Sequence, residues 1–110
     1  MLNQVVLVGR LTKNIQVNKT ENGKKIASIS LAIPRSFKNM DGIYDTDFVD
    51  CILWDNIATN TSSYCKKGDI VGIKGRIQSK SIESENKIRR NQIEVVAEKV
   101  TFLSSKKNEN

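Results

Sequence analysis

The sequence of 110 residues contains no histidine and only two cysteines. Histidine is the side chain most often used as a general base and as a metal ligand, so its absence removes the commonest forms of both sites. The cysteines, Cys51 and Cys65, are far apart and form no C-x-x-C motif. We interpret them as reduced, buried thiols of an intracellular protein, rather than as a disulfide or a metal site.

Long hydrophobic runs are also missing from the start of the chain. The apolar run there covers residues 5–8, and no basic segment precedes it. Such a run is too short for a signal peptide or a membrane span. We therefore expect a cytoplasmic protein with no membrane association.

Motifs typical of enzymes are scarce. The sequence has neither a P-loop nor a G-x-G-x-x-G motif. Four aspartates cluster in the middle of the chain, but they form no recognised calcium loop. They are Asp41, Asp45, Asp47 and Asp50. We predict that the protein is not an enzyme and has no catalytic residues, no metal site and no cofactor.

Positive charge, by contrast, is in excess. Lysine and arginine number 18 against 12 acidic residues, which gives a net charge of +6. This excess favours an anionic partner, and nucleic acid is the commonest one for a small domain. The alternative is a basic surface that serves solubility alone.

The most informative stretch is the strand Phe48–Trp54. Its odd positions give an ordinary buried row of Val49, Cys51 and Leu53. The even row, where polar residues are expected, instead includes Phe48 and the only tryptophan, Trp54. Either protein covers both faces of this strand, or the second row is a surface on which flat groups stack.

Alternating hydrophobicity predicts four further strands. They cover residues 5–11, 26–33, 70–78 and 93–103. Residues 13–20 continue the first strand around a bend, and Asn22-Gly23 predicts a two-residue hairpin turn. Pro34 limits its strand to a sheet edge or end, residues 35–42 form a loop, and residues 79–91 form an exposed hairpin arm.

A change of period after Trp54 predicts one helix of about three turns. Either Asp55 or Asn56 caps its start, and Lys66-Lys67-Gly68 closes its end, with the glycine directly after the C-cap. The element order predicts an all-β protein, a five-stranded OB-fold Greek-key barrel with one helix between strands 3 and 4. An SH3-like barrel is the second choice. The barrel covers residues 1–103, and residues 104–110 form a short polar tail.

These elements supply both groups that bind single-stranded nucleic acid without sequence preference: aromatic faces for bases and cations for phosphates. The stacking candidates are Phe37, Phe48 and Trp54. The phosphate-binding candidates are Arg10, Arg35, Lys38, Lys74, Arg76, Lys80 and Arg89. Glu83 and Glu85 dilute the charge of the arm.

Other interpretations of these residues stay open. Phe48 and Trp54 could cover a subunit interface. Tyr64 and Phe102 are better explained as core or hinge residues. Asp50 lies within the proposed stacking row and would repel phosphate, so we expect it to be paired with a cation or turned aside.

The chain resembles the bacterial single-stranded DNA-binding protein family. The resemblance rests on blocks that occur in the family's order and spacing. They are residues 7–13 (LVGRLTK), 32–37 (AIPRSF), 47–54 (DFVDCILW), 64–78 (YCKKGDIVGIKGRIQ) and 94–98 (EVVAE).

The resemblance implies an OB-fold homotetramer that wraps and protects single-stranded DNA in replication, recombination, repair or DNA uptake, in association with the nucleoid. It assigns base stacking to the positions of Phe37, Phe48 and Trp54. It also assigns the first strand to a subunit interface. The interface candidates are Asn3, Gln4, Val6 and Val8.

Three departures from the family pattern qualify this expectation. Ile82 and Asn91 stand in the arm where aromatics are common, and Lys19 stands where a tyrosine is common, so we expect weaker stacking and a larger charge contribution. The sequence ends Lys106-Lys107-Asn108-Glu109-Asn110 rather than in an acidic tip with Pro-Phe. We therefore expect a short family member that does not recruit repair enzymes through such a tail.

Overall fold

The computed structural model describes residues 1–104, which form six strands and one helix. In chain order they are β1 (Val5–Leu11), β2 (Val17–Lys19), β3 (Lys25–Lys38), β4 (Tyr44–Trp54), α1 (Asp55–Tyr64), β5 (Ile70–Glu83) and β6 (Arg89–Ser104). Residues 105–110 of the predicted tail lie outside the described residues.

Five of the strands close into a barrel. The sheet order is β1-β5-β6-β4-β3-β2, and an additional pairing of β1 with β3 completes the circle. Only the β4–β6 pairing is parallel among those described. The barrel interior holds the apolar core, which includes Leu11, Ile29, Leu31, Leu53, Val71 and Ile73. This architecture confirms the predicted OB-fold.

The strand count differs from the prediction at one place. The expected continuation of the first strand is a separate short strand, β2, paired with β3 through Val17 and Ala27. It lies at the end of the sheet order, outside the closed circle. The helix therefore lies between β4 and β5, which correspond to the third and fourth strands that alternation predicts.

Two glycines allow strands to approach closely. A Cβ at Gly75 would lie 2.2 Å from the carbonyl oxygen of Val96, where β5 and β6 shift register. A Cβ at Gly9 would lie 2.9 Å from Cγ1 of Ile33, beside the β1–β3 closure. Neither position has room for a side chain, so these glycines permit the tight coiling of a small barrel.

Several predicted element ends are wrong. Strand β3 continues through Pro34 to Lys38 and shifts register on the way, so residues 35–38 are strand rather than loop. The bulge absorbs the proline without ending the strand. The N-cap of α1 is Trp54, which makes no side-chain cap. The helix ends at Tyr64, so Gly68 (φ +96°) belongs to the following turn, where its N–H donates to Leu11 O.

The three hairpin turns share one geometry. In the first, the N–H of Thr20 donates to Lys24 O and the N–H of Gly23 donates to Thr20 O, which encloses three residues rather than the two predicted. The same pair of bonds recurs at residues 39–43 and 84–88. The third enclosed residue has positive φ each time, at Gly23, Gly42 and Lys87. This is the common three-residue hairpin loop.

Within residues 1–104, no helix is long and apolar enough to cross a membrane.

Candidate nucleic-acid interface

The outer face of β3 and β4 carries the aromatic row. In the β3–β4 register, Ala32 lies opposite Phe48 and Ile26 lies opposite Trp54, and paired residues share a face of the sheet. Phe48 is 69% exposed and Trp54 is partly buried. Six residues of strand place their Cα atoms about 20 Å apart. The two rings therefore lie on one surface at a separation that single-strand binding can bridge with several nucleotides.

The aromatic surface continues to the tip of the β3–β4 hairpin. Phe37 is 63% exposed on the outer part of β3. Tyr44 shares the parity of Phe48 and is exposed, and Nζ of Lys38 lies 5.7 Å from its ring centroid. Sequence reasoning did not select Tyr44. The sequence signal for Tyr44 is its even position, which places it in the same row of β4 as Phe48.

Arg10 lies in the row that contains Phe48. It pairs with Ala32, which in turn pairs with Phe48, so the three residues cross β1, β3 and β4 on one face. Nη1 of Arg10 donates to Gly68 O at 2.6 Å, which fixes the guanidinium. A cavity of about 440 Å³ opens beside it. The lining residues are Val8, Gly9, Arg10, Ala32, Ile33, Pro34, Thr46 and Ile70.

Arg35 is bound to two carboxylates rather than open to solvent on all sides. Its Nη2 lies 2.9 Å and its Nε 3.2 Å from Asp47 Oδ1, and Nη1 lies 3.8 Å from Asp45 Oδ2. The hydrogen bond with Arg35 lowers the pKa of the Asp47 carboxyl and raises the pKa of the guanidinium. A phosphate that binds Arg35 must compete with these carboxylates. We call Arg35, Asp45 and Asp47 the carboxylate clamp.

The remaining predicted phosphate contacts are dispersed. Lys74 lies opposite Val6 of β1 and Lys99 of β6, away from the β3–β4 hairpin. Arg76 lies nearer the aromatic row, opposite Val96, which pairs with Ile52. Its Nη1 donates to Gln78, whose amide donates to Glu94.

Lys80 and Arg89 lie on the arm, and both are exposed. Arg89 is opposite Glu83 in the β5–β6 register. The structure thus brings Arg10, Lys38 and Arg76 near the aromatic surface and spreads the other cations around the barrel.

Asp50 interrupts the aromatic row. It is exposed, and it lies opposite Ser30 between Phe48 and Ile52. Of the two expectations for Asp50, a cation partner or a side chain turned aside, the first is wrong, since no ion pair within residues 1–104 includes Asp50. Its carboxylate is therefore an unneutralised negative charge in the middle of the proposed contact surface.

The predicted interface residues on β1 divide into two kinds. Asn3 is engaged within its own chain, because its amide donates to Ile77 O at 2.8 Å and accepts from the Ile77 N–H at 3.0 Å. Val6 and Val8 are exposed apolar residues on the outer face, and Gln4 is exposed beside them. An exposed valine pair on a strand is available for contact with another molecule.

Of the two roles expected for Tyr64 and Phe102, core or hinge, the core role is wrong. Tyr64 is 73% and Phe102 48% exposed, although their rings contact each other. The buried residues of α1 are Ala58 and Thr61. Tyr64 is the last residue of α1, where a side chain can project beyond the barrel. That position at the helix end was the sequence signal for its exposure.

The two cysteines are free and buried, as predicted. Burial, followed by the charge of Asp50, raises the pKa of the Cys51 thiol to about 11. Burial and Asp69 also raise the pKa of Cys65. Both thiols are therefore protonated and poorly reactive at neutral pH. Among the described residues, no group of three or more Cys, Asp or Glu side chains could hold a metal ion.

The chain is similar in sequence to known single-stranded DNA-binding proteins. Single-stranded DNA-binding protein B of Bacillus subtilis is 46% identical over 109 residues, which cover 99% of this chain and 96% of that protein. Single-stranded DNA-binding protein 3 of Listeria innocua is 43% identical, with 98% of this chain and 68% of the relative covered.

A single-stranded DNA-binding protein of Bacillus cereus is 42% identical, and this chain spans 61% of its length. The model of the single-strand binding protein family matches residues 2–103. The chain therefore belongs to the single-strand binding protein family.

Proposed function

We propose that this protein binds single-stranded DNA without sequence preference and is not an enzyme. The observation that carries the proposal is the row of aromatic rings on the outer face of β4, where Tyr44 and Phe48 are exposed and Trp54 is partly buried, with exposed Phe37 near the hairpin tip. Its relatives at 42–46% identity are named for this binding, which supports the same ligand here.

In this mechanism aromatic rings bind the bases and cations bind the phosphates. Every base has a flat face, so stacking on Phe48, Trp54 and Phe37 accepts any sequence and contributes roughly 1–3 kcal/mol per base. Arg10, Lys38 and Arg76 lie near these rings and neutralise phosphates. Binding should therefore weaken as salt rises, because the cations release counterions from the DNA.

The protein acts as a homotetramer in this proposal. Val6 and Val8 on β1 are exposed apolar residues, and contact with a second copy would bury them. In a cell, the tetramer would coat and protect single strands at the nucleoid during replication, recombination, repair or DNA uptake.

A titration with oligo-dT tests the proposal. Trp54 is the only tryptophan in the chain, so its fluorescence reports on one position. We expect quenching, and an affinity that falls with salt at a log–log slope of about −3.5 if about five phosphates are neutralised per subunit. Duplex DNA of the same length is the control and should bind more weakly.

Absence of binding at low salt would reject single-stranded DNA as the ligand. The alternative would then be that Phe48 and Trp54 form a protein interface. Sedimentation of the Trp54→Ala variant separates the two cases, because an interface tryptophan would break the assembly and a stacking tryptophan would leave it intact.

A further inference from the structure

We propose that Tyr64 and Phe102, named here the second aromatic patch, form an additional stacking site for a base of the same DNA strand. The inference rests on the proposed function and extends its contact surface from β3 and β4 to the junction of α1 and β6.

The two rings contact each other at the protein surface. The two centroids lie 5.6 Å apart with an angle of 43° between the planes, a tilted arrangement that aromatic pairs favour. Each ring holds the other in place while Tyr64 remains largely exposed. A fixed, exposed ring stacks a base with little loss of side-chain entropy, as in other single-strand binding surfaces.

Grooves flank the pair on both sides. One, of about 310 Å³, is lined by residues that include Ile57, Thr61 and Lys99. The other, of about 200 Å³, is lined by residues that include Cys65, Ile70 and Leu103. Tyr64 and Phe102 line both grooves, so a planar group has access to either side of the pair.

The surrounding charge favours a polyanion over an apolar peptide. Lys66 and Lys67 follow Tyr64 directly, and Lys99 lies in the groove beside it; all three are exposed. None of these lysines makes an ion pair within residues 1–104. Against them stand the exposed carboxylate of Glu98 in the same groove and the buried Asp69, which lines the other groove. Aromatic rings among free cations are the combination that binds single strands.

The patch is also reachable from the first site. Trp54 is the N-cap of α1 and Tyr64 is its last residue, so the ten-residue helix alone separates them. A helix of that length spans about 15 Å. The two aromatic surfaces are therefore about 15 Å apart along the helix axis, a distance that a few nucleotides can bridge.

The test measures the affinity of the wild type and of the double variant Tyr64→Leu/Phe102→Leu for oligo-dT of two lengths. Site sizes of about 4–16 nucleotides per OB domain suggest oligo-dT of about 6 and about 16 nucleotides. We expect the variant to weaken the longer oligonucleotide at least about fivefold more than the shorter one, because only the longer one reaches the second patch. Tyr64→Phe, which keeps the ring, should behave like the wild type, and Phe48→Leu should weaken both lengths.

Cross-linking with the unaltered protein gives a second readout. Oligo-dT that carries 5-iododeoxyuridine should cross-link to Tyr64 when long and not when short, as peptide mapping will show. Equal loss at both lengths, no loss at either, or a changed sedimentation coefficient in the double variant would overturn the inference. Failure of the wild type to bind any oligo-dT would instead reject the proposed function.

Discussion

The β3–β4 hairpin and the β5–β6 arm have the same kind of turn but different side chains. Both project from the barrel and close with three-residue loops, at residues 40–42 and 85–87. The first carries exposed aromatic rings, with Phe37 and Tyr44 near its tip. The second carries exposed isoleucines and arginines, such as Ile82 and Arg90.

Backbone geometry therefore decides which segments reach away from the barrel, and side chains decide what each can bind. In the proposed function the β3–β4 hairpin contacts bases, whereas the arm, residues 79–91, carries cations and no aromatic residue. The carboxylate clamp adds a second contrast, because it reduces the positive charge of the β3–β4 hairpin while the arginines of the arm make no ion pair in the described chain.

Removal of a ring from the first hairpin should have the largest effect. We expect Phe48→Ala to weaken oligo-dT binding by about 1–3 kcal/mol, roughly 5- to 150-fold, since it deletes one stacked base. Phe48 is exposed, so the melting temperature should change little. Ile82→Ala on the arm is the matched control and should change affinity less than about twofold. Equal effects of the two substitutions would contradict the division between the hairpins.

Addition of a ring to the arm should have the next largest effect. Ile82 lies opposite Arg90 in the β5–β6 register and lines a cavity of about 340 Å³ with Arg90, Asn91 and Gln92. We expect Ile82→Trp to tighten oligo-dT binding about fivefold, because it adds one stacking site beside a cation. Ile82→Leu is the control, because it changes the side chain without adding a ring. Unchanged affinity in a folded Ile82→Trp protein would show that the arm does not contact the bases.

Release of the clamp should have a smaller effect. We expect Asp47→Asn to free Arg35 for a phosphate, to raise affinity a few-fold and to steepen the salt slope by about 0.7. Asp41→Asn removes the same charge from the hairpin turn without altering an ion pair of the described chain. A double-mutant cycle with Arg35→Met separates release from simple charge removal. If Asp47→Asn gains as much in the Arg35→Met background, the clamp has no specific role.

Substitutions in the two turns should change the stability of the protein rather than its affinity for DNA. Lys87 adopts φ +59° where the other two hairpins have glycine. We expect Lys87→Gly to raise the free energy of unfolding by about 0.5–1 kcal/mol, because glycine adopts this conformation without steric cost. Gly42→Ala (φ +76°) should lower it by about 1 kcal/mol. Urea unfolding monitored by circular dichroism measures both, and the same sign for the two substitutions would contradict this explanation.

The sequence predicted the barrel well because strand alternation is a local property. The inward row of partly buried Val49 and buried Cys51 and Leu53, and the exposed position of Phe48, both follow from parity within a single strand. Strand ends were predicted less well. Pro34 indicates a strand end by local rules, but β3 continues beyond it through a register shift. Asp55 or Asn56 was the expected helix cap, but the N-cap is Trp54, which makes no side-chain cap.

The site was predicted in part for the same reason. Phe37 and Phe48 were selected from composition and parity, and both are exposed. The pairing of Arg35 with Asp47 joins two strands, and no spacing rule within either strand indicates it. The exposure of Tyr64 likewise depends on how far α1 overhangs β6.

By itself, then, the sequence determined the five barrel strands, the excess of positive charge and the aromatic row, since each depends on composition or on residues close together in the chain. The tertiary structure decided the closure of β1 on β3, the carboxylate clamp and the second aromatic patch. These features depend on contacts between distant segments, and their geometry is fixed only when the barrel closes and sets the register of its strands.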